Sequence, residues 1–526
     1  MGWLCNSTEF FNMAIERMIT FSTTRNSTLS LVPAIRIRPA NTLPVRKDAD
    51  FVLYWMIASR RVTWNFALDR AVEWAEKLQK PLVILEALRC NYPWASDRIH
   101  RFALDGMAEN ACWLEGTNVL YYPYIEPRPN AGKGLLAALA SRACVVVTDD
   151  FPCFFLPHMI ASGARQVPVL MEAVDSNGLL PMRQADKAYP TAYAFRRFLQ
   201  RELPRHLMEF PKPNALLKTK FPKAKVLPRE IATIWPKTSA RLLNSVERTL
   251  AGIPLNHEVS PAEIRGGSTA AQKLLQTFLQ NKLPTYADAR NEPAQQATSE
   301  LSPYLHFGHI SAHQIFSELA TNEGWSPSHL AVRATGRRSG WWGASQDAEA
   351  FLDQVITWRE LGLNCCQMRK DFDQFESLPA WASKTLRKHA RDERSHVYTL
   401  EEFESAKTHD PLWNAAHTQL LQEGRIHNYL RMLWGKKIIE WTRTPEKALA
   451  IMVELNNKYA LDGRDPNSYS GIFWCLGRYD RPWGPERPVF GAVRYMSSEN
   501  TARKFNVSGY IRKYSAPLYE GATLAG

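Results

Sequence analysis

Three tryptophans, Trp413, Trp434 and Trp441, stand in two runs, Thr408 to Ala416 and Tyr429 to Trp441, whose residue types suit electron transfer. On a continuous helix Trp434 and Trp441, seven residues apart, share a face about 10 Å apart along the axis, a gap an electron can cross. Two indoles buried in a helix core satisfy the same spacing, and for a bare i, i+7 pair that is the commoner case. Gln354 and Trp358 are four apart and therefore on one helical face, while Arg359 and Glu360 point elsewhere. An amide beside an aromatic ring suits a flat, partly polar ligand, and core packing explains the tryptophan equally well. Thr298, Ser299 and Ser302 place three hydroxyls beside a helix start marked by Ser302-Pro303, where unpaired N–H groups favour an anion. An ordinary cap has the same composition. The loop from Leu455 to Asn467 carries Asn456, Asp462 and Gly463 directly after a helix, bringing backbone and carboxylate within reach of a heteroaromatic ring. A plain charged turn looks much the same.

Taken together, these segments resemble the photolyase and cryptochrome superfamily, and specifically the class II cyclobutane pyrimidine dimer photolyases. The stretch from Tyr286 to Gly308 is similar to the family's flavin-phosphate segment, the helix around Trp358-Arg359-Glu360 to its W-R-E helix, and Asp410 to Ala416 with Arg431 to Trp441 to its D-P-L-W-N-A-A and R-M-x-W-x-K-K-x-x-E-W pattern. The resemblance implies an FAD folded into a U shape inside a helical domain. Tyr286, Thr298, Ser299, Leu301 and Ser302 would hold it, with Arg431 paired to Asp462 at the isoalloxazine edge and Asn456 against flavin N5. An amide at N5 carries no readily transferred proton and so favours the anionic reduced flavin. Trp434 would be the proximal, Trp413 the middle and Trp441 the surface member of the relay that reduces the flavin in light. Trp358 and Trp474, with Met432, would line the pocket for a flipped-out dimer, and Arg481 and Arg494 would contact phosphates or fill the gap the dimer leaves.

Several positions depart from the family pattern. Gln354 replaces a glutamate that hydrogen-bonds the dimer; an amide can still donate a hydrogen bond but supplies no proton, so repair is expected to be reduced rather than abolished. Glu300 stands where Asn or Arg is usual, and a carboxylate beside a diphosphate must face solvent or pair with a base. Leu433 and Gly435 replace Tyr and Ala, the glycine at a helix cost of about 1 kcal/mol. The loop between Trp474 and Asp480 is one residue short.

These side chains need a scaffold, and 526 residues suffice for two domains with a connector. Phe51 to Met56, Pro81 to Glu86, Val119 to Tyr122, Ala143 to Thr148 and Val167 to Ala173 read as buried strands alternating with helical periodicity such as Asn65 to Lys77. This predicts an α/β domain with a parallel, Rossmann-like sheet over residues 49–203. No G-x-G-x-x-G or phosphate-loop motif follows its strands, so a dinucleotide site has no support there, while a deazaflavin or folate antenna chromophore still fits such a fold. Residues 204–262, rich in proline, read as a connector. Residues 263–526 alternate helical periodicity with turns, including one helical stretch from Leu412 to Trp441, and predict a mostly α-helical FAD-binding domain. Residues 1–48 read as a disordered extension, with organelle or nuclear targeting, or a later start at Met13 or Met18, as alternatives.

A net charge of +13 and a pI near 9.3 nominate a polyanion as partner. Eight cysteines without metal-ligand spacing argue for reduced thiols in the cytoplasm and against a metal, and no long apolar run predicts a membrane span. The expected protein is a monomeric, light-driven enzyme acting on UV-damaged DNA. Two rivals are a photoreceptor of the same fold with weak or no repair, and a colourless, non-photochemical protein that binds damaged DNA.

Overall fold

The computed structural model describes residues 32–224 and 226–515. Strands β1 (Ile37–Pro39), β2 (Phe51–Met56), β3 (Leu82–Leu88), β4 (Leu120–Ile125), β5 (Ala143–Asp149) and β6 (Met171–Val174) form one sheet in the order β1-β6-β5-β2-β3-β4. β2 to β6 run parallel, and β1 closes one edge antiparallel to β6. β2 and β5 are buried along their whole length, which is why they read as unbroken apolar runs rather than alternating ones. One face is covered by α1 (Phe66–Leu78) and α2 (Asp97–Leu114), the other by α3 (Leu135–Ala140) and α4 (Leu156–Gln166).

β1 corrects the expectation of a disordered extension to residue 48. Residues 1–31 lie outside the described residues, but 32–48 join the domain: the Arg36 guanidinium is buried and donates to the carbonyls of Gly178 (3.1 Å) and Leu179 (2.7 Å). A three-residue edge strand ending in proline is too short to show a period of two.

Downstream of Ser268 the described chain is helical. The helix expected from Glu349 to Cys366 is α5 (Gln346–Leu352), a π-helical turn (Asp353–Trp358) and α6 (Arg359–Met368). The stretch from Leu412 to Trp441 is two helices, α7 (Pro411–Glu423) and α8 (Asn428–Glu440), because Gly424 adopts φ +69° and ends the first with a left-handed turn. α9 (Pro445–Tyr459) and α10 (Pro466–Cys475) complete the group. α7, α9 and α10 each begin with a capping Asp or Thr followed by proline, and each cap accepts from backbone N–H groups of the first turn.

Buried polar groups join the two halves. Glu360, next to Arg359 at the start of α6, accepts from the N–H groups of Leu179 (2.6 Å) and Leu180 (3.2 Å), and Arg359 donates to the carbonyl of Asn177 at 2.5 Å. The Arg98 guanidinium of α2 donates to the carbonyls of Leu420 and Leu421 on α7 and of Tyr459 on α9. Gly308 approaches so closely that a Cβ there would lie 1.9 Å from the Ala58 carbonyl oxygen. These contacts tie the helical half, and with it the candidate site, to the sheet domain.

Candidate functional site

α7 and α8 pack face to face and bring the three indoles together. Trp413 and Trp434 are parallel within 6° with ring centres 6.5 Å apart, and Trp441 meets Trp413 edge-on at 6.1 Å. The Trp413 N–H donates to the Trp434 carbonyl at 3.1 Å. The order Trp434, Trp413, Trp441 is therefore continuous in space, and the route crosses between helices instead of following the i, i+7 face of one.

The expectation that Trp441 lies at the surface is corrected. It is 1% exposed, as buried as Trp413 (0%) and Trp434 (2%). As the C-cap of α8 it leaves the helix (φ −104°, ψ 12°) and is covered by Tyr398 at 5.7 Å and His409 at 4.9 Å, while the Lys437 ammonium lies 5.3 Å from its ring centre. The covering segment precedes α7, so spacing within α8 carried no sign of it.

His417, which sequence reasoning missed, belongs to the same stack. Four residues after Trp413 on α7, its ring is 12° from the plane of Trp413 and 7° from that of Trp434. The i, i+4 spacing from Trp413 was the available signal.

The Arg431 guanidinium, one turn before Trp434, grips the Asp462 carboxylate through contacts of 2.9, 3.2 and 3.2 Å. Burial works against the charge on Asp462, yet Arg431 and the Ser302 hydroxyl outweigh it and hold the carboxyl below its usual range. Asn456 is buried on α9; its amide nitrogen donates to Ser468 Oγ (2.7 Å) and Asn457 Oδ1 (3.3 Å), which turns its oxygen the other way.

Tyr286 is buried between Phe278 and Phe351, both at 5.5 Å, with the Arg290 guanidinium 5.7 Å from its ring. Thr298 and Ser299 are half-buried, Ser302 is exposed, and the Leu301 side chain is in the core. The helix that Ser302 opens is only five residues long, so its dipole offers little to an anion and the hydroxyls must carry that role. Glu300 pairs with bases, as its charge demands: Arg425 at 2.5 Å and Lys282 at 3.4 Å.

These residues fit a flavin. The Arg431 Nε is buried without a hydrogen-bond partner in the protein, as expected of a group that a polar ligand satisfies. Gly463 is required by the turn itself, since a Cβ there would lie 2.8 Å from the Asn456 carbonyl oxygen at the end of α9.

On the third side, Gln354 and Trp358 are the two partly exposed residues of an otherwise buried segment from Phe351 to Glu360. The π-helical turn sets them there, a distortion frequent at functional sites. Asp353 is fixed by Arg196 at 2.8 Å. α10 packs tightly on α6, where a Cβ on Gly362 would lie 2.9 Å from Ser470 Oγ, and carries Trp474. Trp358 meets Tyr479 at 6.4 Å; Trp474 has the Lys436 ammonium at 5.1 Å and the Arg494 guanidinium at 5.7 Å. Arg481 and Arg494 both lie over Trp483, at 4.5 and 4.0 Å, and Arg494 forms a two-point pair with Asp480 (2.8 and 3.1 Å). Met432 is partly exposed.

Lys436 and Trp483 were not anticipated. Lys436 is buried and donates to the Cys475 carbonyl at 2.6 Å, and burial lowers its ammonium to about 8. Gly435 finds its reason in the same place: a Cβ would lie 2.6 Å from Cys475 Sγ.

A mostly parallel sheet joined to a helical half is the fold of photolyases. A bacterial class III photolyase from Agrobacterium tumefaciens superimposes with a TM-score of 0.59 at 17% identity, covering 89% of this chain and 86% of that one. No family model matches the chain. Among curated proteins, the deoxyribodipyrimidine photo-lyase of Methanothermobacter thermautotrophicus is 33% identical over 91% of this chain and 98% of its own length. Those of Oryza sativa subsp. japonica and Potorous tridactylus are each 34% identical over 88% of this chain, covering 86% and 81% of their lengths. The chain belongs to the deoxyribodipyrimidine photo-lyase family.

Proposed function

We propose that the chain repairs cyclobutane pyrimidine dimers in UV-damaged DNA by light-driven electron transfer. The observation that carries this reading is the continuous run of Trp434, Trp413 and Trp441 across α7 and α8, the second of which carries Arg431 of the Arg431–Asp462 pair, with Gln354 and Trp358 on the π-helical turn and Trp474 on α10. FAD, when bound, supplies the photoexcited electron that splits the dimer. The chain's own residues position both partners. Arg431 and Asp462 would hold the ring edge, the Asn456 oxygen would face N5, and Tyr286, Thr298, Ser299 and Ser302 would carry the diphosphate. Trp358 and Trp474 would flank the extruded bases, which Gln354 contacts through its amide.

Arg494 beside Trp474, and Arg481 with it over Trp483, supply positive charge where the DNA backbone would pass. No helix among the described residues is long and apolar enough to cross a membrane. The α/β half is the proposed seat of an antenna chromophore of deazaflavin or folate type, for which absorption beyond that of flavin in the purified chain is the test.

The experiment is anaerobic blue-light repair of an oligonucleotide bearing one thymine dimer. Repair in light and not in darkness is expected, with a higher yield for Gln354→Glu. Photoreduction without repair would favour the photoreceptor reading, and an unchanged yield in Gln354→Glu would remove Gln354 from the pocket.

A further inference from the structure

His417 is wholly buried on α7, and nothing in the relay reading uses it. Its Nδ1 lies 3.2 Å from the Trp434 indole nitrogen, and its Nε2 lies 3.2 Å from the Glu404 carbonyl oxygen. An indole nitrogen only donates and a carbonyl oxygen only accepts. The two partners therefore fix the imidazole as the neutral Nε2–H tautomer, with the Nδ1 lone pair on Trp434. The ring is also parallel to both inner indoles, centred 5.1 Å from Trp413 and 6.3 Å from Trp434, with Tyr459 edge-on at 6.3 Å. The nearby Glu404 carboxylate is engaged by Lys458 and Tyr459, each at 2.7 Å.

We infer that His417 is a positioning residue that tunes the relay: its Nδ1 lone pair holds the Trp434 N–H and stabilises the positive charge that indole carries after giving up an electron. The inference rests on the relay reading above. The step moves one electron from Trp434 to the light-excited oxidised flavin that the family's chemistry supplies, leaving an indole radical cation. Its N–H proton stays within the hydrogen bond. An electron from Trp413 then refills Trp434, and Trp441 refills Trp413, so the positive charge moves outward and no proton leaves the first site.

Burial is what keeps that proton on the indole. It lowers the His417 imidazole to about 4 and so disfavours an imidazolium. A stronger base would capture the proton and trap the radical at Trp434; an apolar residue would leave the charge unsupported. Trp413 gives its N–H to a backbone carbonyl instead, so among the two inner indoles only Trp434 has an imidazole acceptor.

The test compares wild type with His417→Leu, which removes the acceptor, and His417→Gln, whose side-chain oxygen restores one. Flash photolysis of the flavin-loaded protein reads the tryptophan radical. Its yield beyond Trp434 is expected to fall about tenfold in His417→Leu, the factor matching a lost hydrogen bond to a charged group, and to recover in His417→Gln. The indole 15N–1H resonance of Trp434, identified by its loss in Trp434→Phe, reads the hydrogen bond without photochemistry. It should lie downfield in wild type, move upfield in His417→Leu and return towards wild type in His417→Gln. A Trp434 resonance at the position of a free indole in wild type overturns the inference even if the leucine variant fails to fold. A wild-type radical yield in His417→Leu, with the resonance shifted, overturns the tuning role alone. A wild-type protein that binds flavin and forms no tryptophan radical in light overturns the relay, and this inference with it.

Discussion

Arg431 and Asp462 form a two-point ion pair across α8 and the loop after α9, with a shortest contact of 2.9 Å and both side chains mostly buried. The pair fixes the loop that carries Gly463 directly after α9, the helix of Asn456, and it leaves Arg431 Nε free for a ligand. Replacing Arg431 with leucine strands a buried carboxylate, a loss of about 3–5 kcal/mol. Arg431→Leu is expected to purify with little flavin and a lowered unfolding midpoint, and Asp462→Asn to lose less of both. Flavin content from the absorption of the released cofactor, with urea denaturation alongside, checks this. Full flavin occupancy in Arg431→Leu would remove the pair from the cofactor site.

Gly435 and Cys475 are in contact where α8 crosses α10. An alanine at 435 forces its methyl into Cys475 Sγ and, at 3.1 Å, against Met452 Sδ, an overpacking cost of about 1–3 kcal/mol. Gly435→Ala is therefore expected to destabilise the chain even though alanine is the better helix former, and Gly435→Ala with Cys475→Ala to recover most of the loss. Denaturation of the two single variants and the double variant measures the coupling. Additive effects would contradict the contact.

Stability should fall towards acid. Burial holds His100, His417 and His427 down to about 4, His309 down to about 3, and His313 well below the ordinary imidazole range. An unfolded chain binds a proton at each as pH drops through about 6.5 while the folded chain does not, so these groups withdraw stability between about pH 6.5 and 4. Burial also raises Asp69 and Glu360 to about 7, and these bind protons first in the folded state and work in the opposite direction. Burial raises Asp105, Glu109 and Glu318 in the same way, but the carboxylates held below their usual range, among them Glu423 and Asp462, withdraw stability in acid together with the five histidines and set the net direction. Melting temperatures measured across this range should decrease on acidification, and a rise would contradict the assignment of these imidazoles as buried and neutral.

Much of this was legible in the residues. The five parallel strands announced themselves as apolar runs because the sheet is covered on both faces, whereas Asp465-Pro466, read as part of a polar loop, opens α10. The Arg431–Asp462 pair and the need of Glu300 for a base followed from resemblance and charge. What escaped reading depends on contacts between distant segments. The burial of Trp441 is produced by Tyr398 and His409, that of Lys436 by the end of α10, and the stacking of Arg481 and Arg494 by Trp483. β1 was too short to show a period, and the π-helical turn at Asp353–Trp358 leaves no mark in helical spacing.

The account depends most on the parallel stack of Trp413 on Trp434, which joins Trp434 to Trp441 in one continuous run of indoles. The direct test is photoreduction of the bound flavin by blue light with an external reductant, in wild type and in Trp413→Phe. The prediction is rapid bleaching of the oxidised flavin band in wild type and a rate lower by more than an order of magnitude in Trp413→Phe, at equal flavin content. Equal rates in the two proteins, or a wild-type chain that binds no flavin, would contradict it.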